Sequence, residues 1–138
     1  MDLKEENELK KEYLNSYRAA VREEKILLEE IQKLRTDKMF PSVVNDGMPH
    51  GSGGGDLSEY AAKLDEAIND LKEQRLKKVR LYTEIQQRIK CVEDDTEREL
   101  LMLRYLQGKT WEQVAVEMGY SWQHVHKLHS RALSDFKM

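Results

Sequence analysis

The chain of 138 residues holds one cysteine, Cys91, which rules out an internal disulfide and any multi-cysteine zinc site. Two prolines, seven glycines and 7% aromatic residues leave no room for a collagen-like repeat, and they fit poorly with a β-sandwich, which needs frequent turn residues and aromatic strands. No apolar run approaches the roughly 20 residues of a membrane span, so no membrane contact is expected. The charged start MDLKEENELKKEY does not read as a signal peptide. A soluble, intracellular protein in a reducing compartment is the expectation. Charge of one sign is also missing: 23 Lys and Arg face 26 Asp and Glu, a net charge of −3. A histone-like coat, which binds DNA by phosphate neutralisation alone, is thereby excluded. Any nucleic-acid role has to come from a local patch.

What is abundant is Glu, Lys and Leu. With 36% of residues charged and a mean hydropathy of −0.79, the apolar residues suffice for a thin seam between helices and not for a bulky enzyme interior. The fold class expected is all-α. Over residues 1–39, Tyr13, Tyr17, Ala20, Leu27, Ile31 and Leu34 recur at spacings of four and three, with Glu24 in one seam position and Leu14, Val21 and Leu28 widening the stripe. From Leu57 the pattern returns through Ala61, Leu64, Ile68, Leu71, Tyr82, Ile85, Ile89 and Val92, broken only by Arg75 and Lys78. Between them, residues 40–56 (FPSVVNDGMPHGSGGGD) hold both prolines and most of the glycines and read as a loop. The 36 residues from Leu57 to Val92 would make a rod of roughly 54 Å. Two such rods, each with an apolar stripe to cover, are expected to fold back as a long antiparallel hairpin over residues 1–92. The same stripes also suit a homodimer.

Residues 93–138 read as three short helices forming a second domain. Asp95 or Thr96 is positioned to cap the first, which carries Leu100, Leu101, Leu103 and Leu106 and ends at Gly108. Thr110 and Gln113 form a capping-box pattern ahead of Val114, Ala115 and Met118. Gly119 supplies a tight turn and Ser121 caps a last helix with Val125, Leu128, Ala132, Leu133 and Phe136 on one face. A two-turn helix, a Gly-Tyr-Ser turn and a longer helix make up a helix-turn-helix, whose second helix can enter a DNA major groove about 12 Å wide. The acids crowd ahead of this motif, at Glu93, Asp94, Asp95, Glu97 and Glu99, and are expected to be a solvated helix start that suits the helix dipole. Its last helix holds Lys127 and Arg131.

The run RYLQGKTWEQVAVEMGYSWQHVHKLHSRALSDFK resembles region 4 of sigma factors. The residues carrying the resemblance are Arg104, Gly108, Thr110, Trp111, Glu112, Val114, Ala115, Gly119, Ser121, Val125, Leu128, Arg131, Ala132, Leu133 and Lys137. The whole chain also resembles small phage and prophage proteins of Gram-positive bacteria, related to the RinA and ArpU type regulators of phage late genes, through the loop Asp46-Gly-Met-Pro-His-Gly-Ser-Gly53. The resemblance implies a transcriptional regulator that binds double-stranded DNA, with host RNA polymerase as a further partner. By position it implies base contacts from Trp122, Gln123, His126 and Lys127, and phosphate contacts near Thr110 and Ser121. Sigma factors usually carry arginine and glutamate where Trp122 and Gln123 stand and arginine where His126 stands, so an ordinary −35 element is not the expected site. The Gln123 amide suits adenine, the Lys127 ammonium suits guanine, and Arg131 suits phosphate.

Trp111 is expected to plug the core, whereas Trp122 is open between packing and contact. His124 and His126 lie roughly 200° apart on a helix and cannot share a metal ion; with His129 they are expected to be surface or DNA-facing groups. No Lys-Ser/Thr follows the glycines of the central loop, so no Walker-type phosphate site is expected. No catalytic constellation, cofactor site or metal site is visible, and an enzyme is not expected. Two other readings use the same features: an oligomeric packaging protein built on the long helices, and a sigma mimic that binds polymerase alone.

Overall fold

A computed structural model describes residues 2–44 and 53–138, with side chains over 2–36 and 57–138. It contains α1 (Leu3–Val44), α2 (Gly53–Lys90), α3 (Asp95–Leu101), α4 (Trp111–Met118) and α5 (Trp122–Asp135), with a wide π-helical turn over Met102–Leu106 continuing α3. The protein is all-α, with two long helices followed by three short ones. Where residues 40–56 were expected to be loop, α1 continues to Val44 and α2 begins at Gly53. Residues 45–52, which carry nearly all of the Asp46–Gly53 motif, lie outside the described residues.

Two compact units divide the chain. One joins Met1–Ala20 to Lys78–Met138, and the other spans Val21–Lys77. In the first, the α3–α5 region packs against the start of α1 and the end of α2. Leu14, Ile85 and Ile89 are fully buried in one core with Leu100, Leu101, Val125 and Phe136. Leu14, expected only to widen the stripe, is thus its most buried member. The antiparallel run of the two long helices is visible in this unit, where the Tyr13 hydroxyl donates to Glu84 at 2.6 Å and Tyr17 meets Tyr82 edge-on at 5.3 Å. Burial and the neighbouring Glu84 carboxylate push the Tyr13 pKa up to about 12.

Polar contacts tie the same ends together. The Lys10 ammonium donates to the Leu133 carbonyl at 2.7 Å and the Ser134 carbonyl at 3.3 Å, meeting α5 at the end where helix carbonyls lack partners. Arg98 donates to the carbonyls of Val92 and Glu93 and so fixes the step from α2 into α3. Asp94 caps α3 by accepting from the Glu97 amide at 3.0 Å, in place of the expected Asp95 or Thr96. The cap therefore sits one residue earlier, directly after the Val92–Glu93 turn. The π-helical turn closes with the Gln107 amide donating to the Met102 carbonyl at 2.9 Å, and Gly108 leaves it at φ 70°. The Arg18 guanidinium fills the space where a Cβ of Gly108 would project.

The second unit is more open. Its buried apolar side chains, among the described residues, are Ile31 and Leu71. Glu24 pairs with Arg75 at 3.4 Å, so two of the three charged seam positions answer each other across the helices. Leu57, expected to start the second seam, is 60% exposed, and Leu28 is also exposed.

Candidate nucleic-acid interface

The expected capping box opens α4. Thr110 Oγ1 accepts from the Gln113 amide at 3.2 Å, and Gln113 Oε1 accepts from the Thr110 amide at 2.9 Å. Gly119 ends the helix at φ 72°, a left-handed conformation cheap only for glycine, while the Tyr120 amide reaches back to the Ala115 carbonyl at 3.0 Å. Two residues later Ser121 Oγ accepts from the His124 amide at 3.1 Å and starts α5. Each turn of this helix-turn-helix is thus set by a side chain or glycine already present in the local sequence.

α5 has two unlike faces. Val125, Leu128, Ala132, Leu133 and Phe136 are essentially fully buried, as their spacing requires. Gln123, Lys127, Ser130 and Arg131 are exposed on the other side. Lys127 has no ion-pair partner among the described residues. Arg131 lies near the Asp94 and Glu97 carboxyls, so part of its charge is answered within the fold. Thr110 and Ser121 are exposed at their helix N-termini, where free amides and a hydroxyl suit an anionic oxygen. Ser130, which was not singled out, shares the Gln123 stripe; the spacing of seven residues was the signal for it.

Aromatic rings flank this face. Trp122 is 61% exposed, and its ring lies 4.0 Å from that of His126. His126 also lies 5.0 Å from Trp111. Trp111 is half-buried against the core, as expected, with the Arg104 guanidinium 4.5 Å above its ring. Arg104 also donates to the Lys109 carbonyl at 3.0 Å, bracing the turn into α4. His126 is only partly exposed, and its Nε2 is buried with no hydrogen-bond partner among the described residues.

The expectation of three surface histidines fails at His129. It is buried against Trp111 at 4.5 Å, and its Nε2 is joined to the Tyr105 hydroxyl at 2.6 Å. Burial, with Lys11, His126 and Arg104 adding positive charge, pushes its pKa down to about 4, so the ring is neutral near pH 7. A helical stripe of Val125, Leu128, Ala132 and Phe136 is wide enough to draw His129 inward at its edge. Only His124, which packs edge-on against Tyr120 at 4.3 Å, is fully on the surface.

The acidic run divides in a similar way. Glu93, Asp94, Asp95 and Glu99 are exposed, but Glu97 is buried beside Asp135. Desolvation and the Asp135 carboxyl raise the Glu97 pKa to about 7. Among the described residues there is no group of His, Cys, Asp and Glu able to hold a metal ion, and no helix long and apolar enough to cross a membrane.

Residues 94–137 match the family model of sigma-70, region 4. The match starts at the Asp94 cap of α3 and ends one residue before the C-terminus, covering the whole helix-turn-helix. Region 4 is a DNA-binding regulatory module and not a catalytic one. No curated protein and no solved structure matches the chain.

Proposed function

We propose that the protein is a phage-type transcriptional regulator that binds promoter or operator DNA through α4 and α5. The observation that carries this reading is the region-4 match over a helix-turn-helix whose second helix leaves Gln123 and Lys127 exposed and uncommitted. Gln123 and Lys127 read base edges, Thr110, Ser121 and Arg131 hold phosphates, and Trp122 and His126 complete the groove-facing surface. A module with so few free cations binds weakly alone, so affinity comes from a homodimer formed through the long helices or from host RNA polymerase on the same promoter. The chain acts in the bacterial cytoplasm, at the nucleoid.

The full chain, titrated with phage late-promoter DNA at two salt concentrations, with and without polymerase, tests the reading. Saturable binding that weakens as salt rises is expected. Absence of such binding under both conditions overturns it. Mass measurement of the same sample separates a regulator, expected as a monomer or dimer, from a packaging ring of many subunits.

A further inference from the structure

An indole that is 61% exposed at the first residue of α5 is costly to leave in water, and nothing in the turn requires it. It is also not loosely held. Trp122 leans on His126, His126 on Trp111, and the Arg104 guanidinium lies over the Trp111 ring, at successive separations of 4.0, 5.0 and 4.5 Å. The His126 ring contacts both indoles at tilted angles, with a buried Nε2 that reaches no partner among the described residues. A row of rings is thus braced from the core outward and ends in an apolar surface beside Gln123.

From this arrangement we infer that Trp122 recognises the C5-methyl group of a pyrimidine in the major groove, and that His126 is its positioning residue. This rests on the DNA-binding reading. The thymine methyl is the apolar feature that the major groove displays; the remaining base-edge groups are hydrogen-bond donors and acceptors. An indole offers a large apolar surface and a single N–H donor, which suits a methyl far better than a phosphate. Gln123, the next residue, carries the amide that fits adenine N6 and N7. An A·T pair displays that adenine edge and a thymine methyl together, so the methyl lies on the pair read by Gln123 or on the pair next to it. Thymine supplies the methyl in unmodified DNA, and 5-methylcytosine offers the same chemistry.

The test uses the full chain and a duplex site it selects from a random pool. Each thymine is replaced singly by uracil, which removes only the methyl, and each cytosine by 5-methylcytosine. Thymine recognition predicts a loss of about fourfold at one uracil position, the worth of one buried methyl group. Methylcytosine recognition predicts a similar gain at one cytosine. In either case the effect disappears in Trp122→Ala, persists in part in Trp122→Phe, and shrinks in His126→Ala, with thermal melting of Trp122→Ala unchanged. DNA binding that is insensitive to every methyl change, or equally sensitive in wild type and Trp122→Ala, overturns this inference and leaves the DNA-binding reading standing. Trp122→Ala binding as tightly as wild type points instead to a protein partner for the indole and also overturns it. Loss of all selection from the pool overturns both.

Discussion

The two compact units are built from the same two helices, yet they bury their seams to different depths. In residues 21–77 the helices meet largely through half-buried side chains and the Glu24–Arg75 pair, with Ile31 and Leu71 as the buried apolar contacts among the described residues. In residues 1–20 with 78–138 the same 4-3 periodicity ends in a core where Leu14, Ile85 and Ile89 are fully buried. A helical hairpin has only one stripe per helix to cover. A third layer, α3 to α5, is what turns the seam into an interior. The core around α3 to α5 is partly made of the first and second helices.

The largest expected effect follows from that dependence. A fragment of residues 93–138 lacks Leu14, Ile85, Ile89 and Val92, all of them core, and is expected to show no cooperative melting by circular dichroism, whereas the full chain melts cooperatively. A folded fragment would break the comparison. Next in size is Leu14→Ala, expected to cost about 2–5 kcal/mol in denaturant unfolding, as a buried leucine truncation does. Leu57→Ala, at an exposed seam position of the other unit, is expected to stay within about 0.5 kcal/mol. Equal losses at both sites would erase the distinction.

Acid–base linkage sharpens it further. Glu97 has a folded pKa raised from 4.5 to about 7, so the fold favours its protonated form, and stability is lost as pH rises between those values. His129 is shifted in the opposite sense, from 6.5 to about 4, so the fold favours its neutral form, and stability is lost as pH falls through that window. Glu97→Gln is expected to raise the melting temperature at pH 8 and leave it nearly unchanged at pH 5. A variant that melts lower at pH 8 would show that the buried carboxylate is stabilising. A small effect is also expected in the open unit: Arg75→Ala removes an ion pair whose arginine is about half exposed and is expected to cost under about 1 kcal/mol.

Much of this was legible from periodicity and local chemistry. The Thr110–Gln113 box, the Gly119 turn, the Ser121 cap and the buried face of α5 depend on residues within a few positions of one another, and each appears where its spacing requires. What failed depends on distant contacts. The cap of α3 shifted to Asp94 because Arg98 ties the preceding turn to its carbonyls, a constraint absent from a propensity pattern. His129 and Glu97 look polar in sequence, but Tyr105 and Asp135 on other elements receive them. Leu14 looked peripheral to its stripe, because the stripe was drawn for two helices and three further ones close over it. In the candidate site, Gln123, Lys127 and Arg131 stand exposed as expected, whereas the contact of His126 with Trp111 on α4 is one that no helical wheel displays.

The most direct test of the account is the Gln123→Ala/Lys127→Ala double variant of the full chain, followed by DNA titration and thermal melting on the same sample. Both side chains are on the exposed face of α5 and outside the core. The account predicts melting like the wild type and DNA affinity reduced by at least about tenfold, since each good base contact contributes roughly 1–3 kcal/mol. Wild-type DNA affinity in a folded variant would contradict it.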